Sequence, residues 1–129
     1  MNNVIDFINT NRDRYVEELK EYLAIPSISA LPEHNKDLKA CAEWTAAAMG
    51  DVGLENVRII ETPGNPVVYG DWLKAENAPT ILFYGHYDVQ PADPLELWDS
   101  PPFEPRIEGG KIYARGSTDN KGCAIKAVA

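Results

Sequence analysis

The chain has 129 residues, 44% of them hydrophobic, with 20 acidic side chains against 12 basic ones and a net charge of −8. That length suits one domain with a modest core. The acidic balance excludes nucleic acid and anionic membrane surfaces as partners, because no Lys/Arg cluster exists to neutralise phosphates.

The longest apolar runs are far too short to cross a bilayer. Asp6, Arg12, Asp13, Arg14, Glu17 and Glu18 leave no apolar core for a signal peptide. Cys41 and Cys123 lie far apart, in no metal-like spacing, and nothing calls for a disulfide. The expected setting is therefore reduced and cytoplasmic.

In chain order, Val4, Ile8, Tyr15, Val16, Leu19, Tyr22 and Leu23 recur at steps of three and four, which predicts one amphipathic helix ended by Pro26. "SISALPEHN" reads as a loop carrying His34, a surface residue rather than a ligand. A second helical stripe runs through Leu38, Cys41, Ala42, Thr45, Ala48, Met49 and Val52. Asn35 or Asp37 is its expected cap, Gly53 its stop, and Cys41 a small core residue. "NVRIIET" and "PVVYGDWL" read as strands, the latter starting at Pro66.

"TILFY", residues 80–84, is apolar at both parities, as in a strand buried on both faces of an α/β sheet. A proline-rich stretch follows with Pro91, Pro94, Pro101, Pro102 and Pro105. Leu95, Leu97, Trp98 and Phe103 give it apolar anchors, so an ordered loop is expected. "EGGKIYARG" predicts a Gly-Gly turn into a short strand, and "CAIKAVA" a helix. That run has no stop signal before Ala129, which suggests a fragment of a longer chain.

The candidate chemistry begins where the "TILFY" run ends. His86 and Asp88 stand two residues apart, so in extended backbone they project to the same face, beyond the strand end where α/β sheets bind ligands. Gly85 permits close approach or a bend there. A His so placed is a candidate metal ligand, and a neighbouring Asp can bond its other ring nitrogen and fix the tautomer. A His hydrogen-bonded for structural reasons is the plainer alternative.

The second motif is "ARGSTDNKG", residues 114–122, with Asp119 between a strand and a helix. Such a carboxylate is either an N-cap or a bridge between two metals about 3.5–4 Å apart. Gly116 and Gly122 would let the backbone turn tightly around it. It is not a phosphate loop, because no Gly-Lys-Ser/Thr occurs. Arg115 and Lys121 could face anionic groups near the site, but the favoured reading is that they are solvated or paired with surplus carboxylates. A nucleophile at Ser117 or Cys123 is disfavoured: no Gly-x-Ser-x-Gly elbow is present and only two histidines exist to act as base.

Together, "YGHYDVQP", "LWDSPPFEP" and "GGKIYARGSTDNKG" closely resemble the carnosinase-type dipeptidases. These belong to the dinuclear zinc exopeptidases and deacylases that include aminoacylase and acetylornithine deacetylase. "GHYDVQP" favours the dipeptidase branch over the deacylases. The resemblance implies the N-terminal part, residues 1–129, of a three-layer α/β/α catalytic domain with a mixed sheet flanked by helices. It implies two divalent metal ions, zinc by expectation, with His86 a terminal ligand and Asp119 the bridge. Asp88, counted with the catalytic residues, would orient His86, and the Asp119–Asn120 peptide would be cis. Many relatives carry Asp where this chain has Asn120, which removes one charge near the metals.

The family's Glu-Glu pair, further carboxylate, final His and dimerisation domain have no counterpart among these residues. The expected reaction is hydrolysis of a dipeptide or small peptide by metal-activated water in a homodimer. Residues 1–129 alone are expected to bind metal weakly and to be inactive. A non-catalytic α/β binding module is the rival reading.

Overall fold

The computed structural model describes residues 2–125. Its N-terminal part is helical: α1 (Asn2–Thr10), α2 (Arg12–Ala24), a 3₁₀ turn at Pro32–His34 and α3 (Asn35–Asp51). Two antiparallel hairpins follow, β1 (Glu55–Ile60) with β2 (Val67–Asp71), and β3 (Arg106–Glu108) with β4 (Lys111–Tyr113). The short helix α4 (Lys121–Ala124) comes last, and the rest of the helical run expected over 123–129 lies outside the described residues.

The expected single N-terminal helix is two. Asn11 has φ −97° and ψ 6°, outside the helical well, and its side-chain amide donates to the Phe7 carbonyl at 2.9 Å. Such local bonds compete with a continuous helix. Only α2 is anchored in the core: Val4 and Ile8 on α1 are exposed, whereas Tyr22 and Leu23 are buried.

On α3 the predicted stripe is followed. Leu38, Cys41 and Ala42 are buried and Gly53, at φ 85°, ends the turn. The cap differs from expectation, because the N-cap position falls on His34. His34 Nδ1 donates to the Asp37 carboxylate at 2.7 Å, which places a charge in the first turn where the helix dipole favours it.

Where α2 meets α3, the Tyr22 and Trp44 rings stack at 4.5 Å between centroids. Cys41 and Ile125 complete that buried cluster, with Leu19, Ile25, Met49, Leu54 and Tyr87 around it. The first hairpin lies on α3, and Gly70 lets it come close: a Cβ there would sit 3.4 Å from the Met49 sulfur. Its register pairs Arg58 with Tyr69 and Ile60 with Val67, with a bulge near Asn56, which adopts φ 51°. The second hairpin turns through Gly109 and Gly110, both at positive φ, as a two-residue turn of this kind requires.

The fold class is mixed α/β, but the central sheet expected from residues 80–84 is not formed among the described residues. Ile81, Leu82, Phe83 and Tyr84 are 74–90% exposed and belong to no strand. A doubly buried strand needs neighbours at both edges and on both faces, and none of the described residues supplies them.

The proline-rich loop is tied down as expected, though not by every expected anchor. Trp98 Nε1 donates to the Ala92 carbonyl at 2.8 Å, and Arg115 lies over the Trp98 ring. Leu95 and Leu97 instead face solvent.

Candidate metal centre

After α2 the chain turns at Pro26 and runs through Ser27, Ile28 and Ser29. This segment is bridged in parallel to residues 87–89: Ile28 pairs with Val89, and the Val89 amide donates to the Ser27 carbonyl at 2.9 Å. Ser27 Oγ donates to the Tyr87 carbonyl at 2.6 Å. Tyr87 OH in turn donates to the Pro66 carbonyl at 2.5 Å. The backbone between His86 and Val89 is therefore held by both the helical and the hairpin parts of the fold.

On that backbone His86 and Asp88 meet as their spacing predicts. His86 Nδ1 donates to Asp88 Oδ1 at 3.0 Å, and Ser29 Oγ donates to the other Asp88 oxygen at 2.5 Å. Nδ1 is thereby engaged, and the other ring nitrogen, Nε2, lies 3.2 Å from Asp119 Oδ1.

Asp119 comes from the loop that leads from β4 into α4. The Asp119–Asn120 peptide is cis, as the resemblance implies, and so is Asp93–Pro94, which no sequence signal indicated. The N-cap position of α4 falls on Asn120 rather than Asp119. Asn120 Oδ1 accepts from the His86 amide at 3.4 Å, linking the two motifs directly. This contact uses only an acceptor oxygen, so Asn serves here as Asp would.

Two glycines let the loop fold this tightly. A Cβ on Gly122 would sit 1.9 Å from the Ser117 carbonyl oxygen, and one on Gly116, at φ 84°, would sit 2.7 Å from a Val89 methyl. Gly85 faces α4, with 3.0 Å from its would-be Cβ to that of Ala124.

Lys121 corrects the sequence reading. It is neither solvated nor paired with a carboxylate but fully buried, at 0% exposure. Its Nζ donates to the Tyr22 carbonyl at 2.8 Å and the Ile25 carbonyl at 2.6 Å, and lies 5.0 Å from the centre of the Tyr22 ring. Burial lowers its pKa from the usual lysine value, and the nearby Cys41 opposes that shift. Arg115 also departs from expectation: it donates to the Pro91 carbonyl at 3.1 Å.

Whether these residues fit a divalent ion can be tested on the geometry. Two donors in a tetrahedral shell with bonds of about 2.0–2.2 Å stand about 3.3–3.6 Å apart. The Nε2–Oδ1 separation of 3.2 Å lies just short of that edge. Asp119 is 80% exposed, which leaves room for further ligands. The fit is partial, because no group of three or more His, Cys, Asp or Glu that could hold a metal occurs among the described residues.

Sequence reasoning identified His86, Asp88 and Asp119, and the structure brings all three together. It missed Ser27, Ser29 and Lys121, whose partners lie 60, 59 and 99 residues away in sequence.

The motifs that build this corner fall in a segment with a clear match. Residues 82–129 match Peptidase family M20/M25/M40. That family includes metallopeptidases.

Over 118 residues the chain is 34% identical to the cysteinylglycine-S-conjugate dipeptidase of Corynebacterium striatum, covering 92% of this chain and 26% of that protein. It is 40% identical over 82 residues to the succinyl-diaminopimelate desuccinylase of Aromatoleum aromaticum, covering 63% of this chain and 20% of that one. The structure superimposes on human carnosine dipeptidase 1 with a TM-score of 0.90 and 30% identity, covering 98% of this chain and 29% of that one. The chain thus spans roughly a quarter of the length of the M20 relatives it matches.

Proposed function

We propose that this chain supplies His86 and Asp119 as ligands, and Asp88 as the carboxylate that orients His86, to a two-metal hydrolytic centre acting on dipeptides. The observation that carries the reading is the 3.2 Å approach of His86 Nε2 to Asp119 Oδ1, with Asp88 on the opposite ring nitrogen. When bound, a pair of divalent ions, zinc by preference, would supply a water acidic enough to be deprotonated near neutral pH.

The chain's own residues would do the rest of the work at this corner. Asp88 holds the imidazole proton on Nδ1 and keeps Nε2 free for coordination. Asp119, with two oxygens on an exposed loop, has the reach to serve two ions at once. A carboxylate proton acceptor for the water has no candidate within the corner described here, because Asp88 is already engaged by His86 and Ser29. Residues 1–129 alone are therefore proposed to bind metal weakly and to lack peptidase activity. A homodimer and a cytoplasmic setting remain part of the proposal.

The similarity to a desuccinylase favours a second reading, amide-bond hydrolysis of an acylated amino acid at the same metals. The metal proposal is tested by calorimetric zinc titration of the chain and of the variants His86→Ala and Asp119→Asn. The expected outcome is weak binding that both substitutions abolish. Binding of equal strength in all three proteins, or none in the parent chain, would refute it.

A further inference from the structure

Asp119 is presented to His86 by its backbone. Its carboxylate is 80% exposed, and its charged contact among the described residues is the His86 ring itself. Whatever sets the height and direction of the 116–122 loop therefore sets the distance between the two side chains.

Two residues along, the Lys121 side chain enters the core. Its stem runs beneath Gly116: Cδ is 3.5 Å and Cγ 3.7 Å from where a Gly116 Cβ would stand. Its ammonium ends on the carbonyls of Tyr22, in the last turn of α2, and of Ile25, just beyond it. The last carbonyls of a helix lack partners within it, and the helix dipole favours a cation at that end. The side chain is thus a strut between the C-terminus of α2 and the loop bearing Asp119. The chain leaving that same end of α2 carries Ser27 and Ser29, which hold residues 87–88. Both halves of the corner are referred to one point in the fold.

We propose that Lys121 is a positioning residue of the site, its buried ammonium fixing the Asp119 loop to the α2 terminus so that Asp119 meets His86 at coordination distance. This rests on the metal reading given above, but the strut can be tested apart from it.

The experiment compares the parent chain with Lys121→Met, which keeps the stem and loses the ammonium. Ile59→Ala, on β1 of the first hairpin and outside the cluster around Tyr22, serves as a remote destabilising control. In metal-free protein, NMR should show a contact between the His86 ring and the Asp119 β-protons. That contact is expected to be lost in Lys121→Met and kept in Ile59→Ala. Zinc affinity is expected to fall at least tenfold in the first variant and to stay within twofold of the parent in the second.

Should Lys121→Met not fold, Lys121→Gln, which keeps a neutral donor, takes its place with an intermediate loss expected. Should neither fold, the parent alone decides. Zinc would then slow amide exchange at residues 119–123 and 22–25 together, because coupling of this kind is reciprocal. Protection confined to residues 86–88 would overturn the proposal. So would an unchanged ring contact and zinc affinity in a folded Lys121→Met protein, or an equal loss in Ile59→Ala. If the parent takes up no zinc, the metal reading fails, and the ring-to-loop contact still decides the role of Lys121.

Discussion

Replacing Asp88 by Asn is expected to weaken zinc binding by about 10–100-fold, or roughly 1.4–2.7 kcal/mol, the range seen when the partner of a metal-bound His is altered. The geometry explains why. Asp88 accepts from His86 Nδ1 at 3.0 Å and from Ser29 Oγ at 2.5 Å, so a carboxylate fills both acceptor positions. An amide fills only one. If its NH₂ turns to the ring, Nδ1 must accept, the proton moves to Nε2, and the lone pair that faced Asp119 is gone. If its oxygen stays on the ring, the NH₂ meets Ser29, whose hydroxyl can rotate to accept, but a neutral amide polarises the imidazole less than a carboxylate does, which sets the tenfold end of the range.

Ser29→Ala should cost less, about 3–10-fold, because Asp88 is only half-buried and water can take the place of the hydroxyl. The assay is zinc titration by calorimetry, with ¹⁵N NMR reporting which ring nitrogen of His86 carries the proton. Asp88→Asn binding zinc as well as the parent, with the proton still on Nδ1, would refute the orienting role of Asp88.

Three further outcomes are expected. Gly122→Ala places a Cβ 1.9 Å from the Ser117 carbonyl oxygen, a backbone atom that cannot swing aside. It should lower stability by at least about 1–3 kcal/mol, the usual cost of overpacking, seen as a drop of several degrees in Tm.

Tyr22 and Tyr87 are both raised above the ordinary tyrosine value, first of all by burial, Tyr87 to about 12. Their protonated forms stabilise the fold fully below about pH 10, and that stability is lost as pH rises through the folded-state values. Denaturant titrations between pH 9 and 12 should show the decline, and Tyr22→Phe should flatten it. A Tyr22→Phe protein that declines just as steeply would contradict the assignment.

Leu82→Lys with Tyr84→Lys replaces side chains that are 89% and 90% exposed. Stability should stay within about 0.5 kcal/mol, as for surface sites in general, while aggregation measured by light scattering falls. A large loss of stability would mean that these residues are packed in solution.

Local signals in the sequence read well where the determinants are local. The α3 stripe, the Gly-Gly hairpin and the His-x-Asp pair rest on periods of 3.6 and 2 and on turn chemistry, and all three have the expected geometry. The single N-terminal helix failed because its apolar steps continue across Asn11, whose own side-chain bond interrupts the backbone. Residues 80–84 carry the pattern of a doubly buried strand, but a pattern records only what a segment is suited to, and its neighbours are not among the described residues.

Lys121 escaped because a lysine in a polar loop is ordinarily solvated. Only the three-dimensional approach of the α2 carbonyls turns it inward. Ser27 and Ser29 escaped for the same reason, since a serine in a loop carries no mark of a partner some 60 residues away.

The most direct test of the central claim is anomalous X-ray scattering at the zinc edge from crystals of the chain soaked in zinc. The account predicts a peak within about 2.0–2.2 Å of both His86 Nε2 and Asp119, the normal zinc distances to N and O. Density confined to other positions, such as the exposed carboxylates or the His34–Asp37 pair, with His86 and Asp119 left free, would contradict it.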